Sequence, residues 1–321
     1  MKRIDRDTVV IVGSGMMGSG IGAMSALAGN KTTLVDINED KASIGLARTI
    51  ECIRVRKENG LNTLEECENA VGLVSASTDL SCALRSTYLV IEAVVEDLEV
   101  KQRLFAQIDK MVPPEVPICS NTSGLQITKI SEKCLHPERT VTTHFWLPAH
   151  LVPLVEVVMG DKTDKSVAAD IVEELKKWKK APVLVHRDLP GQLANRVFQA
   201  IIREAVSIVA SGLASAEDVD TAISYGMAMR FPVWGPLEHL DAIGLNLGIL
   251  VQDTVLPDLC AETSANDYLR NLVKDGHLGV STGKGIFNWT VRNIENDLKK
   301  RDTFIIEAVK LKTHLDSTQQ K

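Results

Sequence analysis

The stretch that decides the fold lies near the start of the chain and reads Thr8-Val9-Val10-Ile11-Val12-Gly13-Ser14-Gly15-Met16-Met17-Gly18. An apolar strand runs into a G-x-G-x-x-G motif, and a helical pattern follows. In such a motif Gly13 permits a tight turn, Gly15 lets the backbone approach a pyrophosphate, and Gly18 lets helix and strand pack closely. The stretch therefore predicts a dinucleotide site, with the phosphates facing the free N–H groups of the helix N-terminus.

An acidic residue ends the next apolar run. Asp36 follows Thr32–Val35 and lies 18 residues after Gly18, where a carboxylate is expected to bind the adenosine ribose hydroxyls. A 2′-phosphate at about 4 Å would be repelled by roughly 1–4 kcal/mol, and Ile37-Asn38 supplies no arginine to receive it. We therefore expect NAD rather than NADP. The cofactor-binding residues predicted in this region are Gly13, Gly15, Met16, Met17, Gly18 and Asp36.

The composition narrows the class of protein. A chain of 321 residues with 45% hydrophobic residues can form two domains with a sizeable core. Its net charge of −6 gives no reason to expect nucleic acid or an anionic membrane as a partner. The six cysteines contain no C-x-x-C pair, which favours reduced thiols and a cytoplasmic location. We expect no metal site, and no apolar run approaches the ~20 residues that span a bilayer.

Strand and helix patterns divide the chain in two. Up to residue 188 short apolar runs alternate with helical patterns, which predicts a Rossmann-type α/β domain with a doubly wound, mostly parallel sheet. From Leu193 to Ser211 and beyond, helical spacing predominates. We expect an NAD-binding domain over 1–188 and a smaller all-α C-terminal domain over 189–321 for substrate binding and dimerisation. The predicted strands are Val9–Val12, Thr32–Val35, Tyr88–Ile91, Ile118–Ser120, Thr140–Thr143, Leu154–Val157 and Val183–Val185, and the predicted helices include Val100–Met111, Lys165–Lys177 and a charged helix from Val291.

Three polar segments stand where loops are expected to leave the sheet. They are Ser120–Leu125, Thr143–Pro148 and Pro190–Arg196. In doubly wound sheets ligands bind beyond the carboxyl ends of the strands, so these loops are expected to share a cleft with the nicotinamide. Each residue taken singly also has a structural explanation as a turn, a cap or a hydrogen-bonded histidine. However, Glu156 inside an apolar strand needs a partner when buried, which favours a pair with His144.

These segments resemble the motifs of the L-3-hydroxyacyl-CoA dehydrogenase family. Its hallmarks are an N-T-S loop, an H-F-x-N-P segment with Glu twelve residues after the His, and G-x-x-x-N-R. This chain matches them with Asn121-Thr122-Ser123, His144-Phe145…Pro148 with Glu156, and Gly191…Asn195-Arg196. Ile91–Leu98 with Lys101 resembles the family's segment beneath the cofactor, and Ser281–Phe287 resembles its T-G-x-G-[FI]-[YF] signature. The resemblance covers roughly residues 8 to 290.

The resemblance implies a role for each matched residue. His144 is the general base that takes a proton from a β-hydroxyl while hydride leaves the same carbon for the nicotinamide, and imidazole suits this role because it titrates near neutrality. Glu156 orients the histidine ring. Ser123 and Asn195 hold the substrate oxygen as charge develops on it. The cofactor-binding residues that the resemblance implies are Asn121, Glu96 and Lys101, with a surface salt bridge as the alternative for the last two.

Two departures from the family concern the substrate. Leu147 stands where the family usually has Asn. The stretch Gly226–Glu238 resembles the lambda-crystallin (L-gulonate 3-dehydrogenase) and carnitine dehydrogenase branch, whose members act on small free hydroxy acids. Arg230 in this stretch suits a free carboxylate through bidentate hydrogen bonds, with a structural or subunit contact as the alternative. After the second strand Arg54, Arg56 and Lys57 offer positive charge for CoA, but without the lysine-rich pattern of acyl-CoA members.

The sequence thus predicts an NAD-dependent dehydrogenase that oxidises the β-hydroxyl of a 3-hydroxy acid, either free or as a CoA thioester. A β-hydroxyacid dehydrogenase of the 6-phosphogluconate type is disfavoured. That family carries a catalytic lysine in a G-x-x-x-K-x-x-x-N signature, and the corresponding stretch here, Gly191–Glu204, contains no lysine. Two alternatives remain, namely a non-catalytic NAD-binding protein and the same chemistry on a ring-borne alcohol or aldehyde. We expect a homodimer with a small-molecule substrate and with neither nucleic acid nor membrane as a partner.

Overall fold

The computed structural model describes residues 7–318, which fold as two compact units that divide between Leu193 and Ala194. Among the described residues, the first unit contains an eight-stranded sheet with helices, and the second contains helices joined by loops and no strand of this sheet. The predicted fold class is therefore confirmed. In the part of the chain that is described, no helix combines the length and the apolar character needed to cross a membrane.

Eight strands form the sheet: β1 (Thr8–Val12), β2 (Lys31–Val35), β3 (Val74–Ser77), β4 (Thr87–Glu92), β5 (Ile118–Ser120), β6 (Thr140–Phe145), β7 (Leu154–Met159) and β8 (Ala181–Val185). Their order is β3-β2-β1-β4-β5-β6-β7-β8, and neighbours are parallel except for the antiparallel pair β6 and β7. The strand order reverses between β1 and β4, where doubly wound sheets open a crevice for ligands.

The edge strand β3 was not predicted from the sequence. It reads Val-Ser-Ala-Ser, and its side chains are half-buried or exposed because the strand forms the rim of the sheet. A strand with so few apolar residues lacks the pattern on which the prediction depends. The seven predicted strands are all present, and their observed bounds extend the predicted ones by up to two residues.

The described part of the first unit contains seven α-helices: α1 (Met16–Leu27), α2 (Glu39–Glu58), α3 (Leu64–Leu73), α4 (Leu80–Ala83), α5 (Leu98–Met111), α6 (Ile127–Ile130) and α7 (Lys165–Lys177). The helix predicted from Val100 begins earlier, at Leu98, because the Asp97 side chain caps it by accepting a hydrogen bond from the Val100 N–H. Asp164 caps α7 in the same way.

Alternating residues of the strands supply two apolar clusters. Val9 and Ile11 of β1 belong to one cluster, which also contains Trp178, whereas Val10 and Val12 belong to another. Because successive side chains of a strand point to opposite faces, the sheet has a core on each side. Burying each such side chain contributes roughly 1.5–3 kcal/mol, so the sheet is a rigid base for the loops at its edge.

The second unit comprises α8 (Leu193–Ser211), α9 (Ala216–Ala222), α10 (Pro236–Ile243), α11 (Leu245–Val255), α12 (Asp267–Lys274) and α13 (Ile294–Thr318), of which α8 begins at the last residue of the first unit. The charged helix predicted from Val291 is present and begins at Ile294. Between residues 194 and 318 only three apolar side chains are buried, namely Val206, Val219 and Ile306. The unit therefore exposes most of its apolar side chains.

Candidate active site

The glycine loop between β1 and α1 has the geometry that a pyrophosphate requires. Gly13 has φ +98°, and a Cβ there would lie 2.6 Å from the Ala93 carbonyl oxygen. A Cβ on Gly18 would lie 1.8 Å from the Gly13 carbonyl oxygen. At Gly15, by contrast, no described atom beyond its chain neighbours lies within 4 Å of a Cβ position. The loop thus leaves a space at Gly15 that fits a dinucleotide phosphate.

Asp36 is already held by its own chain. Its Oδ2 accepts hydrogen bonds from the Ser14 backbone N–H (2.9 Å) and hydroxyl (2.7 Å), and its Oδ1 accepts one from the Ile37 N–H (2.8 Å). Partial burial acts to raise the pKa of Asp36, but these hydrogen bonds outweigh it and the pKa is lowered. The carboxylate is therefore ionised and oriented at the end of β2, as an acceptor for ribose hydroxyls requires.

A cavity of about 710 Å³ joins these groups. Gly13, Gly15 and Asp36 line it, together with Ala93–Val95 from the loop after β4. Its size suits a cofactor half-site. Arg48 of α2 also lines the cavity. The prediction of NAD considered only the residues directly after Asp36 and therefore did not identify this cation. Three predicted cofactor residues of the glycine loop lie outside this lining, namely Met16, which is 67% exposed, Met17, which is half-buried, and Gly18, which is buried. The predicted cofactor residues Glu96, Lys101 and Asn121 also lie outside it.

His144 and Glu156 face each other on neighbouring strands. They are paired in the register of β6 and β7, and His144 Nδ1 lies 2.7 Å from Glu156 Oε2. Glu156 is fully buried, whereas the His144 side chain retains 12% exposure. The pair thus joins an acceptor inside the sheet to an imidazole that reaches the surface, an arrangement that can orient a base.

Trp146 is a third member of this cluster that sequence reasoning missed. Its indole Nε1 donates to the same Glu156 Oε2 at 3.0 Å, and its ring centroid lies 5.8 Å from that of His144. The sequence did contain a signal for this contact, namely a tryptophan two residues after His144, because an indole N–H usually needs a partner when buried.

The loop after β5 is tied to the site by Glu96 and Asn121. Glu96 Oε1 accepts hydrogen bonds from the Thr122 hydroxyl (2.5 Å) and from the N–H groups of Ser123 (3.1 Å) and Gly124 (3.0 Å). Burial acts to raise the pKa of Glu96, but hydrogen bonds and Lys101 together lower it. Asn121 Oδ1 accepts the Phe145 N–H at 2.9 Å. These bonds hold the exposed Ser123 in a defined loop beside the end of β6.

Lys101 is buried rather than exposed. Its Nζ lies 2.6 Å from Glu92 Oε1 and 3.4 Å from Glu96 Oε2, and Glu92 also accepts the Ser120 hydroxyl at 2.6 Å. The alternative of a surface salt bridge is therefore wrong for Lys101. Glu92 was missed, although an acid in an apolar strand is the signal that singled out Glu156. The network connects the ends of β4 and β5 beneath the Ser123 loop.

The remaining predicted residues lie apart from this cluster in the chain. Asn195 lies in the first turn of α8 and is partly exposed, and Arg230 is exposed in the segment before α10. Both belong to the second unit, so their place at the substrate stays a prediction. Leu147 is 48% exposed directly after Trp146.

A glycine cradle, an oriented ribose acceptor and a histidine–carboxylate pair at the carboxyl edge of one doubly wound sheet are the parts of an NAD-dependent dehydrogenase. Residues 8–189 match the family described as "3-hydroxyacyl-CoA dehydrogenase, NAD binding domain", and residues 191–289 match "3-hydroxyacyl-CoA dehydrogenase, C-terminal domain". The chain belongs to the 3-hydroxyacyl-CoA dehydrogenase family. NAD as the cofactor and the assignment as an oxidoreductase acting on CH–OH are thereby confirmed.

Relatives within the family differ in substrate. The chain is 33% identical over 296 residues to human mitochondrial hydroxyacyl-coenzyme A dehydrogenase, covering 90% of this chain and 93% of that protein. It is 31% identical over 282 residues to 5-formyl-3-hydroxy-2-methylpyridine 4-carboxylate 5-dehydrogenase of Mesorhizobium japonicum, covering 88% and 90%. A crystal structure of an enzyme of that activity, described as an NAD+ dependent dismutase, superposes with a TM-score of 0.89 at 28% identity, covering 96% of this chain and 99% of the other.

Proposed function

We propose that this protein oxidises the β-hydroxyl of a small 3-hydroxy acid to the 3-oxo compound. Bound NAD supplies the nicotinamide C4 that accepts the hydride. The observation that carries the proposal is the hydrogen-bonded pair of His144 and Glu156, at the sheet edge where the loops of the cofactor site also lie. The resemblance to the lambda-crystallin and carnitine dehydrogenase branch agrees with a small substrate.

In this proposal the proton moves through His144. Glu156 accepts the Nδ1–H, which leaves Nε2 with a lone pair to take the proton of the substrate hydroxyl. A positioned base contributes roughly 10²–10⁴-fold to the rate. Ser123 and Asn195 donate hydrogen bonds to the same substrate oxygen and stabilise the charge that develops there.

The charges on α2 favour a free acid over a CoA thioester. Arg54 is paired on both sides, with Glu51 and Glu58 at 2.6 Å each. Arg56 is buried and donates to Asn62 Oδ1 at 2.7 Å. Two of the three cations considered for the phosphates of CoA are thus engaged within the protein. A free carboxylate needs only one cation, and we propose Arg230 for it.

A ring-borne alcohol or aldehyde is the second candidate substrate. The pyridine carboxylate named for the Mesorhizobium japonicum relative supports it, because that compound is also a small acid. The ring of Trp146 lies next to His144, with 5.8 Å between the ring centroids, and this apolar surface suits a planar ring. The chemistry of the base is the same for both candidates.

The apolar surface of the second unit supports a homodimer. In α11 six apolar side chains are between 45% and 64% exposed: Leu245, Leu247, Ile249, Leu250, Val251 and Val255. Exposed apolar side chains in such number on one helix indicate an interaction site. A second copy of the chain, which carries the same surface, is the partner that we propose.

The test is NADH formation from 3-hydroxy acids offered free and as CoA thioesters, with pyridine carboxylates bearing a hydroxymethyl or formyl group alongside. We expect turnover of free acids, and turnover of thioesters alone would contradict the small-acid proposal. His144→Ala should abolish turnover while NADH binding is retained. His136→Ala is the matched control, because His136 also pairs with a glutamate, Glu138, but on the surface. Unchanged turnover in His144→Ala would refute the role of the base.

A further inference from the structure

The indole of Trp146 shares its acceptor with the proposed base. Both Trp146 Nε1 and His144 Nδ1 contact Glu156 Oε2, at 3.0 and 2.7 Å. We propose that Trp146 is a positioning residue that acts through Glu156 to keep a proton on Nδ1 of His144. The inference rests on the proposed role of the His144–Glu156 pair and adds a residue that the family motifs do not specify.

The donor chemistry of the indole is what selects the tautomer. An indole N–H donates and never accepts, whereas a histidine nitrogen can do either. A donor on Oε2 stabilises negative charge on that oxygen and disfavours a proton there. The proton shared between Glu156 and His144 is therefore held on the nitrogen. Nε2 then keeps its lone pair and can accept the substrate proton.

Burial makes this contact energetically important. Glu156 is fully buried, and an ionised carboxylate in such a place depends on its hydrogen-bond donors. Trp146 itself is only partly buried and belongs to none of the apolar clusters of the described chain. Core packing thus does not explain a tryptophan at this position, whereas the hydrogen bond does.

The experiment is a double-mutant cycle on kcat. Trp146→Phe keeps an aromatic ring and removes the N–H, and we expect kcat to fall roughly 10- to 100-fold, the usual range for a hydrogen bond to a charged group. In a Glu156→Gln background the same substitution should change kcat by less than about 2-fold, because its effect passes through the carboxylate. The NADH Kd should stay the same in all variants.

Trp178→Phe is the matched control. Trp178 also donates its indole N–H to a buried carboxylate, Glu174 Oε1, at 3.3 Å, and Phe keeps a ring in the core. We expect this change to lower the unfolding temperature and to leave kcat unchanged. If Trp146→Phe fails to fold, replacement of Trp146 by 3-benzothienylalanine, in which sulfur replaces the N–H, should give the same loss of kcat.

The outcomes distinguish a failure of the Trp146 inference from a failure of the proposed function. Equal losses of kcat from Trp146→Phe in the wild-type and Glu156→Gln backgrounds would show an effect independent of Glu156 and overturn the inference. Unchanged kcat in Trp146→Phe or in the benzothienyl protein would also overturn it. Normal turnover in His144→Ala and Glu156→Gln would instead refute the proposed function, whatever Trp146→Phe does.

Discussion

The carboxylate of Asp36 accepts three hydrogen bonds from its own chain, two of them from Ser14. Single residues of this kind set the charge of the cofactor site before a ligand arrives. Lys180 does not line the cofactor cavity, but it is also held by its own chain, because it is buried and donates to the carbonyl oxygens of Ala149 (2.5 Å) and Val152 (2.8 Å). It thereby holds the connection between β6 and β7.

We predict that Asp36→Asn lowers the ratio of kcat/KM for NAD over NADP by roughly 10-fold or more. The substitution removes a repulsion of about 1–4 kcal/mol with a 2′-phosphate. Initial rates with the two cofactors measure the ratio. Asp40→Asn, an exposed acid in the first turn of α2, is the control and should leave it unchanged. An unaltered ratio in Asp36→Asn would contradict the assigned role.

We predict that Lys180 makes the free energy of unfolding rise with pH between about 7 and 10.5. Burial lowers the pKa of Lys180 to about 7 from its usual 10.5, with the nearby Arg56 adding to the effect. Between these values the unfolded chain binds more protons than the folded one, so stability increases with pH there and is constant outside that window. Denaturant titrations of wild type and Lys180→Met at several pH values should show a difference that grows with pH, and a constant difference would contradict the prediction.

At the scale of elements, the glycines in the turn from β1 into α1 differ in whether the fold or the predicted ligand requires them. Gly13 and Gly18 are required by contacts within the protein, since a side chain on either would meet a carbonyl oxygen at less than 3 Å. Gly15 is the N-cap of the helix with φ −66°, and no described atom beyond its chain neighbours lies within 4 Å of a Cβ position there. We therefore expect its lack of a side chain to serve the ligand rather than the fold.

A matched pair of substitutions tests this division. Gly15→Ala should leave the unfolding temperature within a few degrees of wild type and weaken NADH binding, because the methyl group enters the phosphate space. Gly18→Ala should lower the unfolding temperature and also weaken NADH binding, because a Cβ at this position overlaps the Gly13 carbonyl. Thermal unfolding and fluorescence titration with NADH measure the two effects. Tight NADH binding by Gly15→Ala would show that the phosphates lie elsewhere.

At the scale of the whole molecule, the two units differ in how much apolar surface they bury. The sheet unit has apolar clusters on both faces, whereas the described helical unit buries only three apolar side chains. Isolated helices gain most of their stability from packing. The helical unit is therefore expected to depend on a second copy for its stability.

We predict that the protein is a dimer at micromolar concentration and that Leu250→Glu makes it monomeric. Leu250 lies on α11 with 64% of its side chain exposed, and a charge there would be desolvated in an interface. Sedimentation velocity measures the state of association. Leu135→Glu, which adds a charge to an exposed leucine of the first unit (69%), should remain dimeric. A monomeric wild type would contradict the prediction.

The sequence by itself determined the glycine motif, Asp36 and the alternation of strands with helices, because patterns within short contiguous stretches predict them. Family motifs also singled out His144 and Glu156. Only the tertiary structure decided that an antiparallel register sets these two residues opposite each other, and that Trp146 shares their carboxylate. Strand pairing and burial depend on residues far apart in the chain, which local patterns do not encode. For the same reason, the buried position of Lys101 beside Glu92 became evident only in the fold.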